Sequence, residues 1–322
     1  MSSYKSISED DLTDLHGKVA IVTGGNTGIG YGTVQFLARK GAKVYIAARN
    51  EQKALDAIKQ LEKEGIADGK LEWLKLDLSD PRIAKKAAQD FLEKETRLDI
   101  LVNNAALGPM GPFSLDQDGL LGIMVTNHIS HFIFTDTLLP LLKTTSQKEG
   151  SDVRIINISS NAHDRNEVIS FEGKESLNKD FGNSVNGRID TYGYSKLANI
   201  LHIKELQRRL DSENVNIVCV AVHPGSVWTS GVKSFLSSIP YLGKLIEVVF
   251  GSLFKSWRQG AYTSVFAAAS PEVRQNKDLY KGAYLTPVAK ITKPSKSATN
   301  AKLATELYDT TESVLKELGV LG

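Results

Sequence analysis

The sequence predicts an α/β fold: a single doubly wound domain with a mostly parallel sheet of about seven strands flanked by helices. Three observations predict it. Short β-rich runs alternate with helical segments from residue 18 onward, most of the runs are apolar without a break, and a glycine-rich turn joins the first run to a helix. Continuously apolar strands are those buried on both faces of a parallel sheet. Regular strand–helix alternation supplies the crossovers such a sheet needs.

The runs are KVAIVT (18 to 23), AKVYIA (42 to 47), LEWLKL (71 to 76), LDILVN (98 to 103), VRIINIS (153 to 159) and VNIVCVAV (215 to 222). Helical segments fill the intervals. One begins at Ser79-Asp80-Pro81, where a capping residue precedes proline at the first helical position. In another, Leu197, Ile200, Leu201, Ile203, Leu206 and Leu210 recur at helical spacing, with Lys204, Glu205, Arg208 and Arg209 largely on the other face. Two stretches interrupt the alternation: 161 to 190, polar and rich in Asn and Gly, and 230 to 257, which contains FLSSIPYLGKLIEVVFGSLF. Insertions at strand ends are where such folds place their specificity. With no internal repeat and no linker dividing the strands, we expect a polar lead (1 to 16), one main domain (17 to 287) with a loop or lid at about 230 to 257, and a C-terminal tail with a helix (288 to 322).

A chain of 322 residues with 41% hydrophobic and 24% charged residues can bury a sizeable core. Its formal net charge is +2 and its basic residues are dispersed, which argues against nucleic acid as a partner. The single cysteine, Cys219, lies in an apolar run and reads as a small buried hydrophobe, so no disulfide forms within the chain. The N-terminal residues are polar and acidic, and no run approaches the length of a membrane span. A cytoplasmic protein is expected.

Directly after the first strand comes Thr23-Gly24-Gly25-Asn26-Thr27-Gly28-Ile29-Gly30, followed by a helical run. Such a turn lets the backbone approach a pyrophosphate, whose charge then rests on the positive helix N-terminus. At the end of the second strand a ribose-binding acid would suit NAD(H), but the sequence reads Ala47-Ala48-Arg49-Asn50. An arginine there can pair with a 2′-phosphate, which favours NADP(H) over NAD(H). Asp77 and Leu78, after the third strand, are candidates to meet the adenine, the aspartate by accepting from its amino group. Tyr192 and Lys196 stand one helical turn apart, so hydroxyl and ammonium can converge on one point. A cation about 5 Å away at an effective dielectric of about 20 favours a phenolate by about 3 kcal/mol, roughly two pKa units. The residues alone leave packing and chemistry both open for this pair.

With TGGNTGIG, Asn103-Asn104-Ala105, Ser160 after the fifth strand and Tyr192-xxx-Lys196 in this order, residues 17 to about 287 resemble the short-chain dehydrogenase/reductase family. Thr126-Asn127-His128, His131-Phe132, the RNEQK stretch and the long interval from Ser160 to Tyr192 look most like retinol-dehydrogenase-type and related fungal and plant reductases. The resemblance implies a Rossmann fold and reversible hydride transfer between a nicotinamide and a carbonyl or alcohol, with Tyr192 as acid and base. It gives Lys196 the nicotinamide ribose, Ser160 the substrate oxygen, and Asn127 a water that links the lysine to solvent. Gly24, Asn26, Thr27, Gly28, Ile29, Gly30, Asn104 and Ala105 would line the cofactor. Pro224, Gly225, Val227 and Thr229 would meet the nicotinamide carboxamide. One departure is Ala106, where the family usually has glycine. His128 and His131 have no third ligand in the pattern, and no metal is expected.

The apolar stretch 234 to 254 suggests a lid over a lipophilic small-molecule substrate or, alternatively, peripheral contact with a membrane or partner. The family often pairs through the helices bearing Asn127 and Tyr192, so a homodimer or tetramer is expected unless the long apolar segment 234 to 254 covers that face and leaves a monomer. Rival readings are an isomerase or epimerase on the same fold, and a sensor or scaffold that binds NADP(H) without turnover.

Overall fold

The structure, a computed structural model, describes residues 6–109, 112–227 and 256–322. Its strands are β1 (Val19–Thr23), β2 (Lys43–Ala48), β3 (Lys70–Lys75), β4 (Ile100–Asn103), β5 (Val153–Ile158), β6 (Ile217–Val222), β7 (Tyr284–Thr286) and β8 (Lys290–Ile291). They form one sheet in the order β3-β2-β1-β4-β5-β6-β7-β8. This is one strand more than the approximate expectation. Pairings from β3 across to β7 are parallel, and β8 joins β7 antiparallel.

The helices are α1 (Gly28–Arg39), α2 (Glu51–Glu64), α3 (Pro81–Leu92), α4 (Gly122–Met124), α5 (Ser130–Ser146), α6 (Val185–Ser212), α7 (Trp257–Ala269), α8 (Pro271–Gln275), α9 (Lys277–Tyr280), α10 (Lys296–Thr299) and α11 (Ala301–Glu317). The Asp80 carboxylate accepts from the Arg82 backbone N–H with Pro81 at the first position of α3, so the capping signal in the sequence marks the true start. Asn50 caps α2 in the same way through the Lys53 N–H.

Alternate residues of each strand enter opposite layers, as the pleat requires. Ile21, Leu101, Ile155 and Cys219 pack with α3, α5, α6 and α11, while Ala20, Val22, Val102 and Val220 pack with α1, α2 and α7. Burial pushes the Cys219 thiol up, keeping it protonated and inert.

The polar stretch 161–190 is not a free loop. It forms 3₁₀ turns at Asn161–Arg165 and Lys174–Asn178, and its last residues already belong to α6, which starts at Val185 under a Ser184 cap. The stretch is tied down by C-terminal residues. Glu306 accepts from the Ser170 hydroxyl and the Phe171 N–H, and Thr310 donates to the Phe171 carbonyl. Helix α11 in turn lies on α6 and the start of α5. The Arg209 guanidinium carbon stands 3.8 Å from the Tyr308 ring centroid, His128 Nε2 is 2.9 Å from Thr311 Oγ1, and Phe132 and Tyr308 stack edge-on at 4.7 Å. No helix among the described residues is long and apolar enough to cross a membrane. Thr229 and all but the last two residues of the expected lid at 230 to 257 lie outside the described residues.

Candidate active site

The strand order turns back between β1 and β4, and the carboxyl ends flanking that point are where open α/β sheets bind ligands. A cavity of about 490 Å³ opens there. Of the residues singled out from the sequence, Gly24, Thr27, Gly28, Ile29, Asn104, Ala105, Ser160, Tyr192, Lys196, Pro224, Gly225 and Val227 line it. Asn26, Gly30, Arg49, Asp77, Leu78 and Asn127 are not part of its wall.

Gly30 works from behind. A β-carbon on it would come within 2.4 Å of the Gly24 carbonyl oxygen and 2.5 Å of the Asn104 amide nitrogen, so only glycine lets α1 close against the turn. Asn104 donates its side-chain amide to the Thr23 carbonyl at 2.7 Å. The Thr23 hydroxyl oxygen accepts from the backbone N–H groups of Asn104 (2.8 Å) and Ala105 (2.9 Å) and lies 2.9 Å from His131 Nε2. With both lone pairs in use, the threonine proton goes to the imidazole, so Nε2 is the unprotonated nitrogen. Burial pushes His131 down to about 3, which keeps it neutral. Of the two histidines considered for a metal, His131 thus ties α5 to β1 and His128 meets Thr311 of α11; among the described residues no group of three or more metal-ligating side chains exists. Ala106 is exposed and outside the left-handed region, so its methyl group is accommodated where the family usually has glycine.

Asn127 lies in a π-helical turn, Val125–Ile129, inserted between α4 and α5. Fully buried, it accepts from the Leu107 N–H at 2.7 Å and donates to the Leu107 carbonyl at 3.0 Å and to Ser195 Oγ at 2.9 Å. Both amide hydrogens are spent on fastening the 105–109 wall to α6.

Ser160, Tyr192 and Lys196 meet at the centre. Ser159, next door, donates its hydroxyl to the Lys196 carbonyl at 2.7 Å, while the Ser160 hydroxyl donates to Asn161 Oδ1 at 3.3 Å, accepts from the Ala162 N–H at 3.2 Å and lies close enough to the Tyr192 phenol to favour its ionised form. Both serines follow β5 and line the cavity, but the Ser159 hydroxyl is taken up by the α6 backbone. Gly193 permits this approach. A β-carbon there would sit 2.3 Å from the Ala162 carbonyl oxygen, in the turn that carries Ser160. The buried Lys196 ammonium donates to the Ile158 carbonyl at 3.0 Å and stands 5.6 Å from the Tyr192 ring centroid. Burial pushes Tyr192 up to about 12, with the Ser160 hydrogen bond pulling the other way, and pushes Lys196 down to about 7. Desolvation of both groups thus acts against the depression expected from the neighbouring lysine.

At the ends of β2 and β3, the exposed Arg49 guanidinium lies 4.0 Å from the Asp77 carboxylate. Asp77 also accepts from the Ser79 N–H at 3.0 Å, and Leu78 is buried in the core.

Residues 18–171 match the short chain dehydrogenase family. A short-chain dehydrogenase/reductase of Armillaria gallica is 45% identical over 316 residues, covering 98% of both chains. The chain belongs to the short-chain dehydrogenase/reductase family. Among solved structures, an uncharacterised protein of Mycobacterium paratuberculosis aligns with a TM-score of 0.72 at 27% identity, covering 97% of this chain and 98% of that one. The NADP complex of Pseudomonas aeruginosa RhlG aligns with a TM-score of 0.63 at 26% identity, over 86% and 97%. This short-chain dehydrogenase/reductase also lines its cavity with Leu107, Pro109, Ile189 and His223, which were not singled out from the sequence. Ile189 was findable, since it lies three residues before Tyr192 and so on the same helix face. The partners of His131 and the need for Gly193 were not, because both arise from contacts between distant segments.

Proposed function

We propose that this oxidoreductase interconverts a ketone or aldehyde with its alcohol on a lipophilic small molecule, using NADP(H) in preference to NAD(H). The observation that carries the reading is the convergence of Ser160, Tyr192 and Lys196 on the cavity that the glycine turn of β1 and α1 also lines. The site fits a dinucleotide. Gly30 lets α1 close against the Gly24 turn, and the N-terminus of α1, which no side chain caps, presents backbone donors there. Gly24, Thr27, Gly28 and Ile29 would hold the pyrophosphate, Asn104 and Ala105 the ribose side, and Pro224, Gly225 and Val227 the nicotinamide side. Arg49 is exposed and only loosely held by Asp77, leaving its guanidinium available for a 2′-phosphate, with Asp77 beside it for the adenine.

A bound nicotinamide supplies or accepts the hydride. Ser160 holds the substrate oxygen and steadies the charge that grows on it. Tyr192 gives that oxygen its proton in reduction and takes it back in oxidation. Lys196, held by Ile158, favours the phenolate and draws its proton from the Asn127 side, where the Asn127 amide oxygen, accepting once from Leu107, keeps a lone pair for a relay water. Leu107, Pro109, Ile189 and Val227 make the wall apolar, and Tyr192, Lys196 and His223 are the only titratable groups among its described residues, which suits a lipophilic substrate.

Because α11 lies along α6 and touches the start of α5, it occupies part of that face, which favours a monomer.

The test is a panel of aromatic, terpenoid, retinoid-like and steroid carbonyls assayed with NADPH and NADH. The reading expects turnover of apolar carbonyls, faster with NADPH. Absence of turnover with every compound and both nucleotides overturns it.

A further inference from the structure

His163 sits in the 3₁₀ turn directly after Ser160 and is 3% exposed. Its two ring nitrogens meet partners of opposite character. Nδ1 lies 2.7 Å from the Ser160 carbonyl oxygen, which can only accept, and Nε2 lies 3.2 Å from the Ser295 backbone nitrogen, which can only donate. One tautomer satisfies both: a neutral imidazole with its proton on Nδ1. The His163 backbone N–H donates to the same carbonyl at 3.1 Å. Ser160 therefore receives two hydrogen bonds from one residue on the atom just behind its side chain. The far side of the ring is fixed as well, because the Tyr284 ring on β7 meets it edge-on at 5.0 Å. Ser295, on the segment after β8, is anchored in turn, since its hydroxyl caps α10 through the Ala298 N–H. His163 itself does not line the cavity.

We propose that His163 is a positioning residue: its Nδ1–H and Nε2 clamp the Ser160 turn between β5 and the C-terminal segment, aiming the Ser160 hydroxyl at Tyr192 and the substrate oxygen. The proposal rests on the reading of Ser160 given above. Its chemistry follows from the bonding alone. Without the side-chain donor, the Ser160 carbonyl keeps one bond and the turn loses its tie to Ser295, so the hydroxyl samples orientations that do not serve the reaction. Misplacing a reacting group costs rate far more than it costs cofactor binding.

Three variants separate positioning from packing. His163→Phe keeps a ring against Tyr284 and loses both polar bonds. His163→Asn keeps a donor close to the Nδ1 position and loses the tie to Ser295. Ser160→Ala tests the underlying reading. With the best carbonyl from the panel, His163→Phe is expected to lower kcat by about 10- to 100-fold with the dissociation constant of NADPH unchanged. His163→Asn is expected to recover most of that kcat even where its melting temperature stays as low as that of His163→Phe. An unchanged kcat in His163→Phe, or an equal loss in both histidine variants, overturns the proposal. If Ser160→Ala retains full kcat, it is the reading of Ser160 that fails. Nitrogen-15 NMR of the histidine rings gives a check that needs no turnover: the resonance absent from His163→Asn must show a neutral Nδ1–H tautomer at pH 7. A neutral Nε2–H form or an imidazolium there also overturns the proposal.

Discussion

The Lys196 ammonium stands 5.6 Å from the centroid of the Tyr192 ring while donating to the Ile158 carbonyl at 3.0 Å. A single buried cation is thus shared between a fixed backbone oxygen and the face of the phenol it must influence. Burial works against both charges, raising Tyr192 to about 12 and lowering Lys196 to about 7. Removing the cation with Lys196→Met leaves only Ser160 to oppose desolvation. In the oxidation direction, which needs the phenolate, the limb of the pH–rate profile on which activity rises with pH should move upward, because no cation is left to favour the phenolate. A limb that stays in place would show that another group sets it.

Arg49 offers a second measurement. Hydrogen bonds to charged groups contribute about 1.5–3 kcal/mol, so Arg49→Gln should raise KM for NADPH about 10- to 100-fold and leave KM for NADH nearly unchanged. Equal changes for both nucleotides would place the arginine away from the 2′-phosphate.

Gly193→Ala probes the approach of α6 to the serine turn. Its methyl group would meet the Ala162 carbonyl oxygen at 2.3 Å, and such overpacking costs about 1–3 kcal/mol. We expect a lower melting temperature together with a loss of kcat, because the tyrosine and the serine are forced apart. Wild-type kcat and melting temperature would mean that the helix shifts without cost.

The strands and the order of the motifs were legible because each is a local signal: an apolar run, a glycine turn, a capping residue before Pro81. Ser160 and the Tyr192–Lys196 pair were readable for the same reason, one at a strand end and the other one helical turn apart. What stayed hidden depends on contacts between distant residues. β7 has three residues and β8 two, too few to show a period, and they exist only because β6 offers an edge to pair with. The polarity of 161–190 concealed that Phe171 and Leu177 are fully buried beneath α11. Sequence spacing shows the neighbouring lysine and not the burial that acts on both groups.

Acid should loosen the fold through its buried imidazoles. Burial lowers His131 to about 3, His202 to about 4, and His128 well below the ordinary histidine value. Between those values and about 6.5 the unfolded chain binds more protons than the folded one, so stability falls as pH drops through that window. Each such histidine contributes a slope of about 1.4 kcal/mol per pH unit. Urea midpoints measured from pH 7 down to pH 4.5 should decline steadily below about 6.5; a flat series would contradict the burial of these rings.

The most direct measurement is turnover by Tyr192→Phe alongside its affinity for NADPH. The substitution removes one hydroxyl and keeps the ring under Lys196, so the fold and the nucleotide site are left in place. We expect NADPH binding within about threefold of wild type and kcat reduced by about 100-fold or more, in line with the loss of a general acid. Binding unchanged with kcat also unchanged would falsify the assignment of the proton transfer to this tyrosine.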